Sequence, residues 1–104
     1  MSKVKVAKKG DIEKGKVKGV KVSGEEVALY HTDSDEWFAT SDLCTHENCS
    51  MSHDGGKLQG YEAECDCHGS KFDIRTGAVT LPPAVEPLKS FKVEITGGDI
   101  VVEE

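Results

Sequence analysis

Two short stretches hold all four cysteines and two of the four histidines: Cys44-Thr45-His46-Glu47-Asn48-Cys49 and Cys65-Asp66-Cys67-His68-Gly69-Ser70. Each supplies a thiolate and an imidazole in the same order, as C-x-H in the first and C-x-x-H in the second. A tetrahedral zinc site with Cys and His ligands uses these donor types. Zinc knuckles, however, usually space their paired ligands by at least two residues, and the two stretches offer more donors than zinc takes. A pure disulfide framework would consume the cysteines but leave the histidines unexplained. It also suits secreted chains, and Met1-Ser2-Lys3-Val4-Lys5-Val6 lacks the apolar run and small-residue cleavage site of a secretory signal. The third reading is an iron–sulfur cluster, which uses thiolate and imidazole together.

C-T-H, then C-x-C-H-G-S with an aromatic close behind, resembles the cluster-binding signature of Rieske proteins. The resemblance continues through Phe72-Asp73-Ile74-Arg75-Thr76-Gly77 and through Pro82-Pro83-Ala84, which is similar to the proline loop that covers the cluster in this family. It runs in order over residues 41 to 102, whereas residues 1 to 40 match only as a generic strand series. It implies one 2Fe-2S cluster, with Cys44 and Cys65 on one iron and His46 and His68 on the other. Neutral imidazoles in place of thiolates make the cluster less negative, so an electron is added more easily. Histidine-ligated clusters accordingly lie at about −150 to +300 mV, against roughly −400 mV for plant-type ferredoxins.

The same resemblance implies roles for the neighbours. His46 and His68 would be the electron exit and a proton-coupled site, with reduction favouring protonation. Cys49 and Cys67 resemble the pair that forms a disulfide between the two loops in the high-potential branch. Ser70 matches the hydroxyl that donates to a bridging sulfide in that branch, which raises the potential. Phe72 stands where that branch carries a tyrosine, so one donor is missing. Asp42, Glu47, Asp54 and Asp66 add negative charge that opposes reduction. An intermediate potential is expected.

Positioning such loops falls to strands. Val4-Lys5-Val6, Lys16 to Val22, Glu26 to His31, Glu36 to Thr40 and Leu88 to Ile95 alternate or run apolar in short pieces, and Gly97-Gly98-Asp99 precedes Ile100-Val101-Val102 as a hairpin. No long segment carries a helical period; one helical turn is expected near Gly10 to Lys14, capped by Asp11 and anchored by Ile12. The expectation is an all-β, Rieske-like fold of stacked antiparallel sheets. Its base is formed by residues 1–40 and 73–104, and a cluster-binding subdomain, 41–72, is inserted in it. That insert is poor in Leu, Ile and Val, so it needs a metal or covalent staple. His31 and His53 are read as structural or solvated, Trp37 as core, and Gly55-Gly56 as a turn.

With 104 residues the chain makes one domain. Its net charge of −6 divides unevenly: residues 1 to 21 balance at +6 and residues 22 to 104 at −12. The acidic portion repels nucleic acid and anionic lipid and would steer a basic protein partner. No apolar run is long enough to cross a bilayer, and a cytoplasmic monomer is expected. Nothing suggests a catalytic acid–base pair, so the chain reads as an electron carrier rather than an enzyme. The favoured partners are a flavoprotein reductase and a terminal oxygenase, as for the ferredoxins of ring-hydroxylating dioxygenase systems that the chain resembles. Two other readings remain: a high-potential Rieske protein of a quinol- or cytochrome-linked chain, and a zinc-stapled interaction module.

Overall fold

Val27-Ala28-Leu29-Tyr30-His31 is too apolar for a strand with one wet face, and in the computed structural model all five residues are buried. The structure describes residues 3–42, 50–52, 56–65, 69–82 and 86–103. The buried run belongs to β3 (Glu25–His31), whose alternate residues serve two separate cores. Val27 and Leu29 join Ala7, Ile12, Val22, Trp37, Ala39, Phe91, Ile100 and Val102. Ala28 and Tyr30 point the other way, into a core shared with Met51, Ala63, Cys65, Phe72 and Ile74.

The larger sheet has the order β1-β10-β9-β4-β3-β2 and is antiparallel throughout. Its strands are β1 (Lys3–Lys8), β2 (Lys16–Val22), β3, β4 (Trp37–Ser41), β9 (Ser90–Thr96) and β10 (Asp99–Glu103). These match the strands expected from the sequence, and Gly97 and Gly98 make the β9–β10 turn with positive φ of 57° and 90°. The expected helical turn is a short 3₁₀ turn at Lys9–Asp11. Ile12 anchors it as expected, at 4% exposure. Asp11 lies at its far end, not its start, and reaches back to accept the Lys8 N–H at 2.9 Å.

A second, four-stranded antiparallel sheet has the order β5-β6-β7-β8, from β5 (Lys57–Gln59), β6 (Glu62–Glu64), β7 (Lys71–Asp73) and β8 (Val79–Leu81). Each strand is only three residues long. Register places Leu58, Ala63, Phe72 and Val79 side by side in one row, and this row packs onto the shared core. The sheet continues past residue 72, the end of the insert as read from sequence, to Leu81. The insert was expected to lack a core, yet Met51, Ala63, Cys65, Phe72 and Ile74 are buried against Val17, Ala28, Tyr30 and Leu88 of the larger half. Too poor in large apolar residues to bury a face alone, it borrows the outer face of β2 and β3.

Candidate metal centre

Cys65 follows directly on β6, and its side chain is fully buried in the shared core. The chain doubles back at once: the Cys65 N–H donates to the Ser70 carbonyl at 2.7 Å and the Gly69 N–H to the Cys65 carbonyl at 2.9 Å. Gly69 accepts a positive φ of 75° at the close of this narrow neck. Ser70 is fully buried beside it, and Phe72 sits in the core two residues on, paired with Ala63. The two ends of the C-x-C-H-G-S stretch are thereby held together.

The first ligand stretch is bracketed differently. Asp42 is buried at the end of β4, and the Met51 N–H donates to its carbonyl at 2.6 Å. Its carboxylate accepts the Ser52 N–H at 2.8 Å on Oδ1, and the Ser50 and Ser52 hydroxyls at 2.8 Å each on Oδ2. Gly19 of β2 lies against this knot: a Cβ there would stand 2.7 Å from Ser52 Oγ and 3.1 Å from Asp42 Oδ2. Asp42, read from the sequence as one of four acids whose charge opposes reduction, is also a buried hydrogen-bond hub. Glu47, Asp54 and Asp66 lie outside the described residues.

Three further ties hold the small sheet to the large one. Tyr61, in the β5–β6 turn, meets Phe38 edge-on at 5.9 Å, carries the Arg75 guanidinium 4.4 Å from its ring centroid and donates its hydroxyl to Glu36. That bond and a second from Ser34 Oγ at 2.8 Å hold the Glu36 carboxyl below its ordinary range. Arg75 in turn binds both carboxylate oxygens of Asp73, at 3.0 and 2.8 Å, and depresses the Asp73 carboxyl. Gly77 touches the segment leading into β9, where the Leu88 N–H donates to its carbonyl at 2.8 Å. Deeper in the shared core, burial pushes the Tyr30 phenol far above its usual value. Its hydroxyl pairs with Thr40 Oγ1 at 2.8 Å, and Thr40 passes its own proton to the Ser41 carbonyl at 3.0 Å.

Of the expected ligands, Cys65 is placed as described, while Cys44, His46 and His68 lie outside the described residues, as do Cys49, Cys67, His53 and Pro83. Among the described residues no group of three His, Cys, Asp or Glu side chains is gathered for a metal. Pro82 is exposed directly after β8. His31 is structural: its Nδ1 lies 2.8 Å from the Ile12 carbonyl, its Nε2 2.7 Å from Asp35 Oδ1, and its ring stacks on Trp37 at 3.9 Å. Trp37 is core, as expected, at 7% exposure. The Asp42 hub and the Tyr61–Arg75 contact went unseen in the sequence, because their partners are distant along the chain and are brought together only by the fold. The described donor fits an iron–sulfur cluster: a soft sulfur ligand excluded from water, at the start of a neck closed by backbone bonds to Gly69 and Ser70.

Comparison with known proteins agrees. The pattern of the Rieske [2Fe-2S] domain family matches residues 2–92. The ferredoxin component of the p-cumate 2,3-dioxygenase system of Pseudomonas putida is 44% identical over 94 residues, covering 89% of this chain and 78% of that protein. The ferredoxin of carbazole 1,9a-dioxygenase from Nocardioides aromaticivorans IC177 superposes with a TM-score of 0.91 at 33% identity, covering 98% of this chain and 97% of that one. A chain from the complex of reduced oxygenase and oxidised ferredoxin in carbazole 1,9a-dioxygenase gives 0.88 at 35% identity, covering 96% of this chain and all of its own length, 100%.

Proposed function

From the premise that the chain belongs to the Rieske [2Fe-2S] domain family, we propose that Cys44, His46, Cys65 and His68 hold its cluster and that it carries single electrons from a flavoprotein reductase to a terminal oxygenase. The protein is an electron-transfer component with a 2Fe-2S cluster, not itself a catalyst. The observation that carries the ligand assignment is the fully buried Cys65 at the mouth of the closed 65–70 neck. Likeness to a ferredoxin that forms a complex with an oxygenase supports the acceptor. A zinc-stapled module has no counterpart among these relatives.

When bound, the cluster supplies one-electron redox chemistry at the metal pair. The chain's residues do the rest. Cys65 brings a thiolate into an apolar core that excludes water, and Ser70 lies buried next to it. Phe72 fills the core with a ring that has no hydroxyl, which favours a potential below that of the high-potential branch. A Cys49–Cys67 disulfide, a cytoplasmic location and a monomeric state belong to the same reading. No helix among the described residues is long and apolar enough to cross a membrane.

The protein purified without added metal should be coloured and give the electron paramagnetic resonance of a reduced histidine-ligated cluster, with a midpoint inside about −150 to +300 mV. His68→Ala should abolish that signal, and an unchanged spectrum would remove His68 from the ligand set. Cys49→Ser should retain the cluster but release it faster, and thiol counting before and after reduction shows whether the bridge is closed. Reduction by a flavoprotein reductase of a dioxygenase system, followed by turnover of its oxygenase, tests the partners. Failure with every such pair, while the cluster spectrum is intact, would sink the oxygenase role alone.

A further inference from the structure

The buried Asp42 hub goes beyond the reading of the ligands, though it rests on Cys44 and His46 being among them. Asp42 has only 6% exposure, stands two residues before Cys44, and accepts three side-chain or backbone hydrogen bonds from the residues that follow Cys49. The two ends of the 43–49 segment are therefore joined through one carboxylate. The Met51 N–H to Asp42 carbonyl bond, at 2.6 Å, adds a backbone link to the same neck, and the Asp42 N–H donates to the Glu26 carbonyl of β3 at 3.1 Å.

Among the described residues, the Asp42 carboxylate is held by hydroxyl and amide donors. Its bonds to Ser50 and Ser52 fix where the 43–49 segment begins and ends. Gly19 keeps the space the knot occupies free of a side chain. Ser50 and Ser52 are also in mutual contact, Oγ to Oγ 2.9 Å, so the three side chains form one network.

We propose that Asp42 is a positioning residue for the first ligand stretch, tying its ends through Ser50 and Ser52.

Three holoprotein variants test the knot. Asp42→Asn keeps the shape and one carbonyl acceptor, and should hold the cluster closer to the wild type than Asp42→Ala does. Asp42→Ala removes the knot, and Ser50→Ala with Ser52→Ala removes its side-chain donors; both should release the cluster at least about tenfold faster under chelator and speed amide exchange at Met51 and Ser52. If Asp42→Ala does not fold, the double serine variant decides. Wild-type release and exchange rates in the serine variant would overturn the positioning role, as would release from Asp42→Asn as fast as from Asp42→Ala. Wild-type protein without a histidine-ligated spectrum, or with that spectrum unaffected by Cys44→Ser, would instead break the underlying ligand assignment.

Discussion

Gly77 shows how much can rest on one missing side chain. A Cβ at this position would stand 1.9 Å from the Leu88 carbonyl oxygen, and the residue has a φ of +85°. Gly77→Ala therefore meets both a backbone clash and a strained conformation, and should cost about 2–4 kcal/mol, read from the urea midpoint. Four residues earlier in the same turn region, Asp73 carries a pH signature. The Arg75 guanidinium lowers the Asp73 carboxyl in the folded state, so its contribution is present above the unfolded value of about 3.9 and is lost as pH falls through the lower folded value. The stability gap between wild type and Asp73→Asn should accordingly stay constant from pH 7 to about 5 and close only under stronger acid. A gap that widened on acidification would contradict the Arg75–Asp73 assignment. Asp73 and Arg75 are two residues apart and could be paired on paper, whereas nothing local shows that Gly77 faces Leu88.

Among the elements, the long strands could be read and the short ones could not. β2, β3, β9 and β10 each contain five or more residues with apolar positions at strand spacing or in continuous runs. Lys57–Gln59, Glu62–Glu64 and Lys71–Asp73 each have one apolar residue between two polar ones, too little for any period to emerge. They become strands because pairing aligns Leu58, Ala63 and Phe72 over a core supplied by the rest of the chain. The lysines of β2 have a different use. β2 is an edge strand, and Lys16 and Lys18 pair with His31 and Leu29, on the side of the barrel-like core, while remaining exposed. Charges on the inward side of an edge strand oppose pairing with another chain. Lys16→Val with Lys18→Val should thus raise light scattering on warming at matched concentration, and unchanged scattering would leave the lysines as solvation only.

For the whole molecule, the two sheets are expected to rise and fall together, because β3 contributes to both cores and Leu88 packs between its own segment and the small sheet. Leu88→Ala should destabilise the protein by about 2–5 kcal/mol and lower the visible and far-ultraviolet unfolding midpoints in parallel. Separate midpoints would show two independent units. The sequence by itself pointed to the cofactor, a 2Fe-2S cluster, since the candidate donors sit in two local motifs, Cys44-Thr45-His46 and Cys65-Asp66-Cys67-His68, whose spacing can be read without the fold. It also determined the all-β class, because strand periodicity is likewise local. Only the tertiary structure decided that the metal-binding half takes its core from β2 and β3, and that Asp42 faces two serines across an intervening stretch of chain. The reason is physical: those contacts are set by strand pairing and by which apolar faces have no other place to be buried, and neither leaves a periodic mark in the residues that take part.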